Sequence, residues 1–229
     1  MSAGPTLATV SDRWATFDCY GTLVDWMGGI RATLASLWPD ADAEHLLRCY
    51  HEIEPAVQIR EPMTYRRVMA EVLWRIAAAE GLRLPDGRSG ALAESLPDWP
   101  VFPEVPAELR TLQASGWRLG ILSNTDPDLL EASLGTIGVE PDERVVASEI
   151  GSYKPATAHW DTFFARSGAD PTRHVHVAAS LFHDVEPCGR LGLRCVWINR
   201  QSETSDLLRA AELTSLDGLP DLLDRLVPE

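Results

Sequence analysis

The fold is decided by residues 14–23, Trp14-Ala15-Thr16-Phe17-Asp18-Cys19-Tyr20-Gly21-Thr22-Leu23. A short apolar run is followed at once by a carboxylate and then by a glycine turn. This order is typical of a buried strand that presents a polar side chain at its carboxyl end, because ligands of open α/β sheets bind at that edge. We therefore predict a strand over Trp14–Phe17 and a candidate functional carboxylate at Asp18.

The same alternation of apolar run, polar turn and amphipathic stretch recurs along the chain, as in a parallel sheet with crossover helices. Further strands are predicted at Arg118–Leu122, Val145–Ala147, Val175–Ala179 and Cys195–Ile198. Helices are predicted at Pro106–Ser115, Pro127–Ile137, Ala156–Ser167 and Asp184–Leu191. Each ends at a glycine suited to a left-handed cap, namely Gly116, Gly138, Gly168 and Gly192. The predicted fold class is α/β, with a Rossmann-like parallel sheet.

Residues 27–100 interrupt this rhythm, because their periodicity is helical and no strand is evident among them. Helices are predicted at Ile30–Trp38, Ala43–Val57, Thr64–Glu80 and Ser89–Leu96. The simplest account is a helical cap inserted after the first strand. We therefore predict a core domain of residues 1–26 and 101–229 and a cap domain of residues 27–100.

Composition excludes several functional classes. The 229 residues include 20 Lys and Arg against 34 Asp and Glu, a formal charge of −14, which disfavours nucleic-acid partners. No run approaches the roughly 18 apolar residues of a membrane span, and Met1-Ser2-Ala3-Gly4-Pro5 lacks the pattern of a signal peptide. The four cysteines form no CxxC pair, so free thiols in the cytoplasm are expected.

Reactive side chains follow the other predicted strands as well. Ser123-Asn124 follows the second, Lys154-Pro155 lies in the loop after the third, and Ser180 and Asp184 follow the fourth. Because the carboxyl ends of parallel strands share one edge, these groups are expected to converge with Asp18 in one crevice.

Four segments resemble, in order, the motifs of the haloacid dehalogenase superfamily: residues 17–23, Ser123-Asn124, Lys154-Pro155 and residues 180–184. The resemblance covers roughly residues 14–200. Two positions depart from the phosphatases of that superfamily. Tyr20 stands where a second, proton-donating Asp is expected, and Ala179 stands where the first acid of the Mg²⁺ site is expected. A halide leaving group needs neither. The Asp-x-Tyr-Gly-Thr form and Trp197-Ile198-Asn199-Arg200 resemble the L-2-haloacid dehalogenase branch instead.

This resemblance implies a hydrolase of short (S)-2-haloalkanoic acids that uses no metal and no cofactor and is often a homodimer. Asp18 would attack C2, expel halide and form an ester, which water would hydrolyse to a 2-hydroxy acid. Lys154 would orient Asp18, Asp184 would hold Lys154 and polarise the water, and Thr22 would hydrogen-bond the nucleophile. The substrate carboxylate would be received by Ser123, Asn124 and the backbone at Cys19 and Tyr20.

The branch also places an arginine of the cap against the halogen. Arg48 is our match, with Arg60 and Arg66 as competitors. Ser180, His183 and Trp160 are the further expected pocket residues, and Trp26 is a second tryptophan expected near the pocket. Leu181 and His183 depart from the branch, where an asparagine and an aromatic residue are usual.

Three alternatives stay open. The first is a Mg²⁺-dependent phosphatase of a small phosphorylated metabolite in which Asp184 alone holds the metal. The second is a hydrolase of another activated carbon centre, such as a small ring amino acid. The third is a non-catalytic module that keeps the fold and binds a small carboxylate.

Overall fold

Six parallel strands form one sheet in the part of the chain that the computed structural model describes, residues 12–60 and 63–229. The strands are β1 Trp14–Phe17, β2 Arg118–Ser123, β3 Glu143–Val146, β4 His174–Ala178, β5 Arg194–Ile198 and β6 Ala211–Leu213. Their spatial order is β3-β2-β1-β4-β5-β6. This is the order of a doubly wound Rossmann-like sheet, and it confirms the predicted fold class.

Helices flank the sheet along the described chain. The first four are α1 Trp26–Leu37, α2 Ala43–Arg60, α3 Tyr65–Ala79 and α4 Ala91–Ser95. The others are α5 Val105–Ala114, α6 Pro127–Ile137, α7 Ala147–Ile150, α8 Ala158–Ser167, α9 Glu186–Leu191 and α10 Leu219–Leu226. Among the described helices none is long and apolar enough to cross a membrane.

Most predicted boundaries agree with the structure to within two residues. The third strand is shifted, because Ala147 begins α7 rather than ending β3. Asp184 lies in a π-helical turn, Leu181–Val185, that precedes α9. The first two residues of the helix predicted from Asp184 are therefore π-helical rather than α-helical. Gly138, Gly168 and Gly192 adopt the predicted left-handed conformation at the ends of their helices. The prediction drawn from Met1-Ser2-Ala3-Gly4-Pro5 lies outside the described residues.

Helices α1 to α4 occupy the segment between β1 and β2, and no strand lies between them within the described residues. An isolated antiparallel bridge between Val24 and Val101 joins the two ends of this segment. One apolar cluster nevertheless runs from the sheet into these helices and includes Phe17, Ile30 and Val68. The division into core and cap domains at residues 27 and 100 therefore stays a prediction.

Candidate active site

A cavity of about 510 Å³ lies at the carboxyl ends of the strands. Asp18 reaches it from the end of β1, and Asp184 reaches it from the turn after β4. Strands β1 and β4 are neighbours in the sheet, although two strands, β2 and β3, lie between them in sequence. The strand order therefore reverses its direction at this point, which is where doubly wound sheets open a ligand crevice.

Lys154 joins the two carboxylates at the base of the cavity. Its Nζ donates to Asp18 Oδ1 at 2.9 Å, to Asp184 Oδ1 at 2.7 Å and to the Leu122 carbonyl at 2.8 Å. The side chain is only 1 % exposed. The two carboxylates raise the pKa of Lys154 above its ordinary value against the opposing effect of burial. All three ammonium protons are thus used, and the group is a fixed cation. It is also the only lysine in the sequence.

Both oxygens of Asp18 have donors. Thr22 Oγ1 donates to Asp18 Oδ2 at 2.8 Å and itself accepts from the backbone N–H of Ala179 at 2.9 Å. Burial raises the pKa of the Asp18 carboxyl, and Asp184 adds to this effect while Lys154 and Thr22 oppose it. The Asp18 carboxylate is therefore fixed in orientation and is only partly stabilised as an anion, which is suited to a nucleophile.

Asp184 is held more strongly than Asp18. His176 Nε2 lies 2.9 Å from Asp184 Oδ1, and His176 Nδ1 lies 2.8 Å from Thr16 Oγ1. Burial alone would raise the pKa of Asp184, but Lys154 and His176 together lower it well below its ordinary value. Asp184 Oδ2 is buried and has no hydrogen-bond partner among the described residues. It is a free acceptor for a water or a ligand.

His176 is a positioning residue that the sequence analysis missed. It lies within β4, whereas the candidate residues of the sequence analysis were those that follow the strands. The signal was the pair His174 and His176 on one face of a buried strand, because buried imidazoles require polar partners.

Ser123 and Asn124 follow the prediction only in part. Both line the cavity, and Ser123 Oγ is buried with no partner among the described residues, so it can receive a ligand. The Asn124 amide is engaged at both ends: Nδ2 donates to the Lys154 carbonyl at 3.0 Å, and Oδ1 accepts from the Lys154 N–H at 2.7 Å. Its side chain therefore positions Lys154 rather than facing a substrate.

Ser180 and His183 both line the cavity. Ser180 Oγ accepts from the His183 N–H at 3.0 Å and lies 3.1 Å from His183 Nδ1. Burial lowers the pKa of His183 to about 4, so its ring is neutral near pH 7. His183 Nε2 is buried without a partner in the described part of the chain.

Cys19 and Tyr20 can meet a ligand only in limited ways. The Cys19 side chain is completely buried and is not part of the cavity lining, and burial raises the pKa of its thiol. Tyr20 lines the cavity with its body, while its hydroxyl donates to the Leu129 carbonyl at 3.2 Å on α6. Their backbone, rather than their side-chain polar atoms, is what this geometry offers to a substrate.

Two predicted pocket residues lie elsewhere. Arg48 is exposed on α2 and does not line the cavity, because its position faces solvent while Leu46 and Leu47 pack inward. Trp160 is a core residue: it is fully buried and packs against His176, with 5.3 Å between the ring centroids. Of the competitors, Arg66 pairs with Asp128 on the surface, and the side chain of Arg60 lies outside the described part of the structure.

The side of the cavity formed by the helical segment carries groups that the sequence analysis did not single out. Glu54, Gln58, His51 and Tyr65 line it, together with Trp26, which was expected near the pocket. Helical spacing was a usable signal, since positions 51, 54, 55 and 58 lie on one face of α2. Arg200 also lines the cavity, and its guanidinium is bound to Glu104 and to the Thr22 carbonyl.

The donor set at the base of the cavity does not fit a divalent cation. Mg²⁺ takes about six oxygen ligands. Ala179 offers no side-chain ligand, and Lys154 already occupies the space between Asp18 and Asp184. A separate group with metal-ligand geometry, His45, Cys49 and Glu80, lies on the helical segment outside this cavity.

Together the sheet, the switch-point cavity and the carboxylate held by Lys154 and Thr22 define a doubly wound α/β protein with a candidate aspartate nucleophile. The sequence matches the family model of haloacid dehalogenase-like hydrolases over residues 13–192. The chain belongs to that family.

Curated relatives extend over nearly the whole chain. (S)-2-haloacid dehalogenase 1 of Pseudomonas sp. (strain CBS-3) is 26 % identical, and the alignment covers 93 % of this chain and 97 % of that protein. (S)-2-haloacid dehalogenase 4A of Burkholderia cepacia is 23 % identical, with 92 % and 93 % covered. The L-2-haloacid dehalogenase from Xanthobacter autotrophicus, solved with chloropropionic acid covalently bound, superimposes with a TM-score of 0.81 at 19 % identity, with 92 % and 98 % covered. This last likeness confirms the fold.

Proposed function

We propose that this protein hydrolyses the carbon–halogen bond of short (S)-2-haloalkanoic acids through an aspartyl-ester intermediate. The observation that carries the proposal is the Lys154 ammonium, which lies between Asp18 and Asp184 at 2.9 and 2.7 Å. It supplies a fixed positive charge at the nucleophile, and Ala179 leaves this site without the first acid that the divalent ion of a phosphatase would need. The names of the curated relatives support the same substrate class.

In the first step an oxygen of the Asp18 carboxylate forms a bond to C2 of the substrate. The C2–halogen bond breaks with its electron pair, and halide leaves without a proton while C2 inverts. The attack needs an ionised, oriented carboxylate, and Lys154 and Thr22 each donate to one of its oxygens. The step needs no acid, which agrees with Tyr20 in the position of the second Asp of phosphatases.

In the second step water adds to the Asp18 carbonyl carbon. The bond from that carbon to the ester oxygen breaks, the oxygen leaves on C2 and takes a proton from the water, and a 2-hydroxy acid is released. The second water proton goes to solvent, so each turnover yields one halide and one proton. Asp184 Oδ2, buried and unpartnered in the described chain, is our candidate to orient the water.

The substrate carboxylate would be received by the Ser123 hydroxyl and by the backbone N–H groups near Cys19 and Tyr20. Ser123 Oγ is buried and unpartnered in the described part of the chain, and it lines the same cavity as Asp18. Hydrogen bonds from neutral donors orient a carboxylate without adding a cation next to Lys154.

The experiment compares halide release with phosphate release. The protein should release chloride from (S)-2-chloropropionate in the presence of a chelator and should not hydrolyse p-nitrophenyl phosphate in Mg²⁺. Asp18→Asn should abolish chloride release and keep the circular dichroism of the parent protein. Phosphate release that depends on Mg²⁺ and on Asp18, without chloride release, would establish the phosphatase alternative instead.

The nucleophile is tested separately by single turnover in heavy-oxygen water. Label is expected in the Asp18 side chain, because water attacks the aspartyl carbon and leaves one oxygen there. Label found only in the hydroxy acid would mean that water attacks C2 directly and that Asp18 acts as a base.

We further propose a cytoplasmic homodimer. Free thiols at all four cysteines support the compartment. Trp74 on α3 and Ile59 on α2 are large exposed apolar side chains, which a second copy of the chain would cover. Light scattering of the purified protein should give about twice the 25.2 kDa chain mass, and the mass of a single chain would contradict the dimer.

A further inference from the structure

The cavity wall formed by the helical segment presents an acid where the resemblance placed an arginine. Glu54, on α2, is 4 % exposed and lines the cavity beside Gln58 and His51. Arg48 and Arg66 lie outside the cavity, and Arg200, which does line it, follows β5 and is not part of the helical segment. An arginine on this wall would attract a halide or a carboxylate. An acid in its place favours a cationic part of the substrate instead.

Glu54 is held in place by neighbouring aromatic residues. Tyr65 Oη donates to Glu54 Oε1 at 2.8 Å, and Tyr50 Oη donates to the same oxygen at 3.3 Å. Trp26 Nε1 in turn donates to Tyr65 Oη at 3.1 Å. Burial raises the pKa of Glu54 to about 7, so the carboxylate form gains from any cation that enters the cavity. A buried acid that is fixed in this way can bind a charged group of a ligand in a defined position, unlike a solvated acid at the surface.

The positively charged side chains that line the cavity do not neutralise the carboxylate of Glu54. Lys154 is shared by Asp18 and Asp184, and Arg200 is paired with Glu104 at 2.7 Å. Burial lowers the pKa of both His51 and His183, so neither imidazole supplies a cation near neutral pH. Of the described residues that line the cavity, none provides a positive charge for Glu54.

We infer that Glu54, together with Gln58 and His51, forms a subsite for an ammonium group on the substrate. The inference rests on the proposed function and narrows it: the preferred substrate class is a short 2-haloalkanoic acid that also carries an amino group, and is therefore a zwitterion. Its carboxylate would lie toward Ser123, and its ammonium would lie toward Glu54.

An ammonium group matches the atoms available on this wall. It has three donors, and the wall offers the Glu54 carboxylate, the Gln58 carbonyl and His51 Nε2, which is buried and unpartnered in the described chain. The His51 ring stacks on Trp26, with 4.9 Å between centroids, and this contact fixes the orientation of the imidazole. The cavity of about 510 Å³ lies in the usual range of small-molecule pockets, so it has room for an amino group in addition to the acid.

The first test measures binding and needs no turnover. Calorimetry compares lactate with 3-amino-2-hydroxypropanoate, two product-like acids that differ by one amino group. The wild-type protein should bind the amino acid roughly 10- to 100-fold more tightly, as for a hydrogen-bonded charge pair. Equal binding, or tighter binding of lactate, would overturn the inference.

Two variants then identify which acid is responsible for the preference for the amino acid. Glu54→Gln keeps the size of the side chain and removes its charge, and it should lower the preference to less than about threefold. Glu203→Gln is the matched control, because Glu203 is an exposed acid on the rim of the same cavity. It should keep the preference. If Glu203→Gln removes the preference and Glu54→Gln keeps it, the ammonium binds at the rim and the inference is wrong.

A turnover test separates this inference from the proposed function. Chloride release is compared for 2-chloropropionate and 3-amino-2-chloropropanoate, and the second should have the larger kcat/KM. Release from both at equal kcat/KM would retain the dehalogenase and contradict the subsite. Release from neither would contradict the dehalogenase, while the binding comparison would still decide the subsite.

Discussion

Lys154 shows at the scale of one residue how this site manages its charge. The 20 basic residues include a single lysine, and that lysine is the one between the two buried carboxylates. An ammonium is compact and has three donors that point in different directions, whereas a guanidinium is a planar fork. The three acceptors around Nζ, on Asp18, Asp184 and Leu122, match the ammonium.

Lys154→Arg should therefore be inactive although it keeps the charge. The larger guanidinium cannot reach three acceptors that surround a single nitrogen, so we expect at least a 100-fold loss of chloride release. Lys154→Met should lose as much activity and should also destabilise the protein by about 3–5 kcal/mol, because two buried carboxylates lose their cation. Urea unfolding and chloride release together check both variants. An Arg variant with wild-type turnover would show that only charge matters here.

The pH dependence of catalysis should report Asp18. Its carboxyl must be ionised to attack, and burial raises its pKa above the ordinary 3.8. The ionised fraction falls as the pH drops through this raised value, so kcat/KM should decline on the acid side at a higher pH than for an exposed aspartate.

Thr22→Val removes the donor to Asp18 Oδ2 and should move the acid-side decline of kcat/KM, the acid limb of the profile, to still higher pH. At neutral pH we expect a roughly 10-fold loss of kcat/KM. Thr22→Ser keeps the hydroxyl and serves as the control, with a limb close to that of the parent. The measurement is kcat/KM for chloride release as a function of pH. Coincident limbs for the Val and Ser variants would mean that Thr22 does not control this ionisation.

At the scale of elements, the strands were predictable because each is an apolar run between polar turns. β1 was predicted to the residue, and the other predicted strands differ by one or two residues at their ends. β6 was missed, since Ala211–Leu213 is a short edge strand that is nowhere fully buried and has no apolar run. α10 was missed as well, although Leu219, Leu223 and Leu226 have helical spacing.

The site was predictable wherever it depends on the strand ends, and it was not where it depends on helix rotation. Asp18, Lys154 and Asp184 meet because parallel strands share one edge. Arg48 is expected in the pocket by resemblance alone. Helical spacing puts residues 51, 54 and 58 on one face of α2, but only the structure shows that this face is the one turned to the cavity. His176 was overlooked because its partners lie on β1 and in the turn after β4.

The contact between α2 and α3 should make the free energy of unfolding depend on pH in a specific way. Glu54 on α2 accepts from Tyr65 on α3, and burial raises its pKa from 4.5 to about 7. Between these values the unfolded chain loses a proton that the folded chain keeps, so this group lowers the free energy of unfolding as the pH rises. The shift corresponds to about 3 kcal/mol at pH 7 and above, and the effect is absent below pH 4.

Glu54→Gln should remove this contribution. The difference in unfolding free energy between variant and parent should therefore shift in favour of the variant by about 3 kcal/mol from pH 4 to pH 8. Comparing the two proteins cancels the buried histidines, whose lowered pKa values give the opposite slope. Urea unfolding at several pH values provides the measurement, and a constant difference would contradict the raised pKa of Glu54.

At the scale of the whole molecule, the loop after β2 fastens the helical segment over the cavity. Asp126 precedes α6, yet its side chain makes no cap bond to that helix. Its two oxygens instead accept from the N–H groups of Tyr65 and Arg66 at 2.8 and 3.0 Å, at the start of α3. Thr64, the residue before α3, makes no side-chain cap bond. A carboxylate from one half of the chain therefore caps a helix of the other.

Asp126→Ala should loosen this attachment. Two N–H groups at the start of α3 lose their acceptor, so we expect a loss of about 1–3 kcal/mol in the free energy of unfolding. Tyr65 lines the cavity, and its displacement should raise KM for the haloacid more than it lowers kcat. Asp128→Ala is the matched control, because Asp128 pairs with Arg66 only at the exposed surface and should change stability by less than about 1 kcal/mol. Urea unfolding, proteolysis within α3 and steady-state kinetics test the pair. Equal effects of the two substitutions would show that the contact with α3 depends on surface charge rather than on this buried cap.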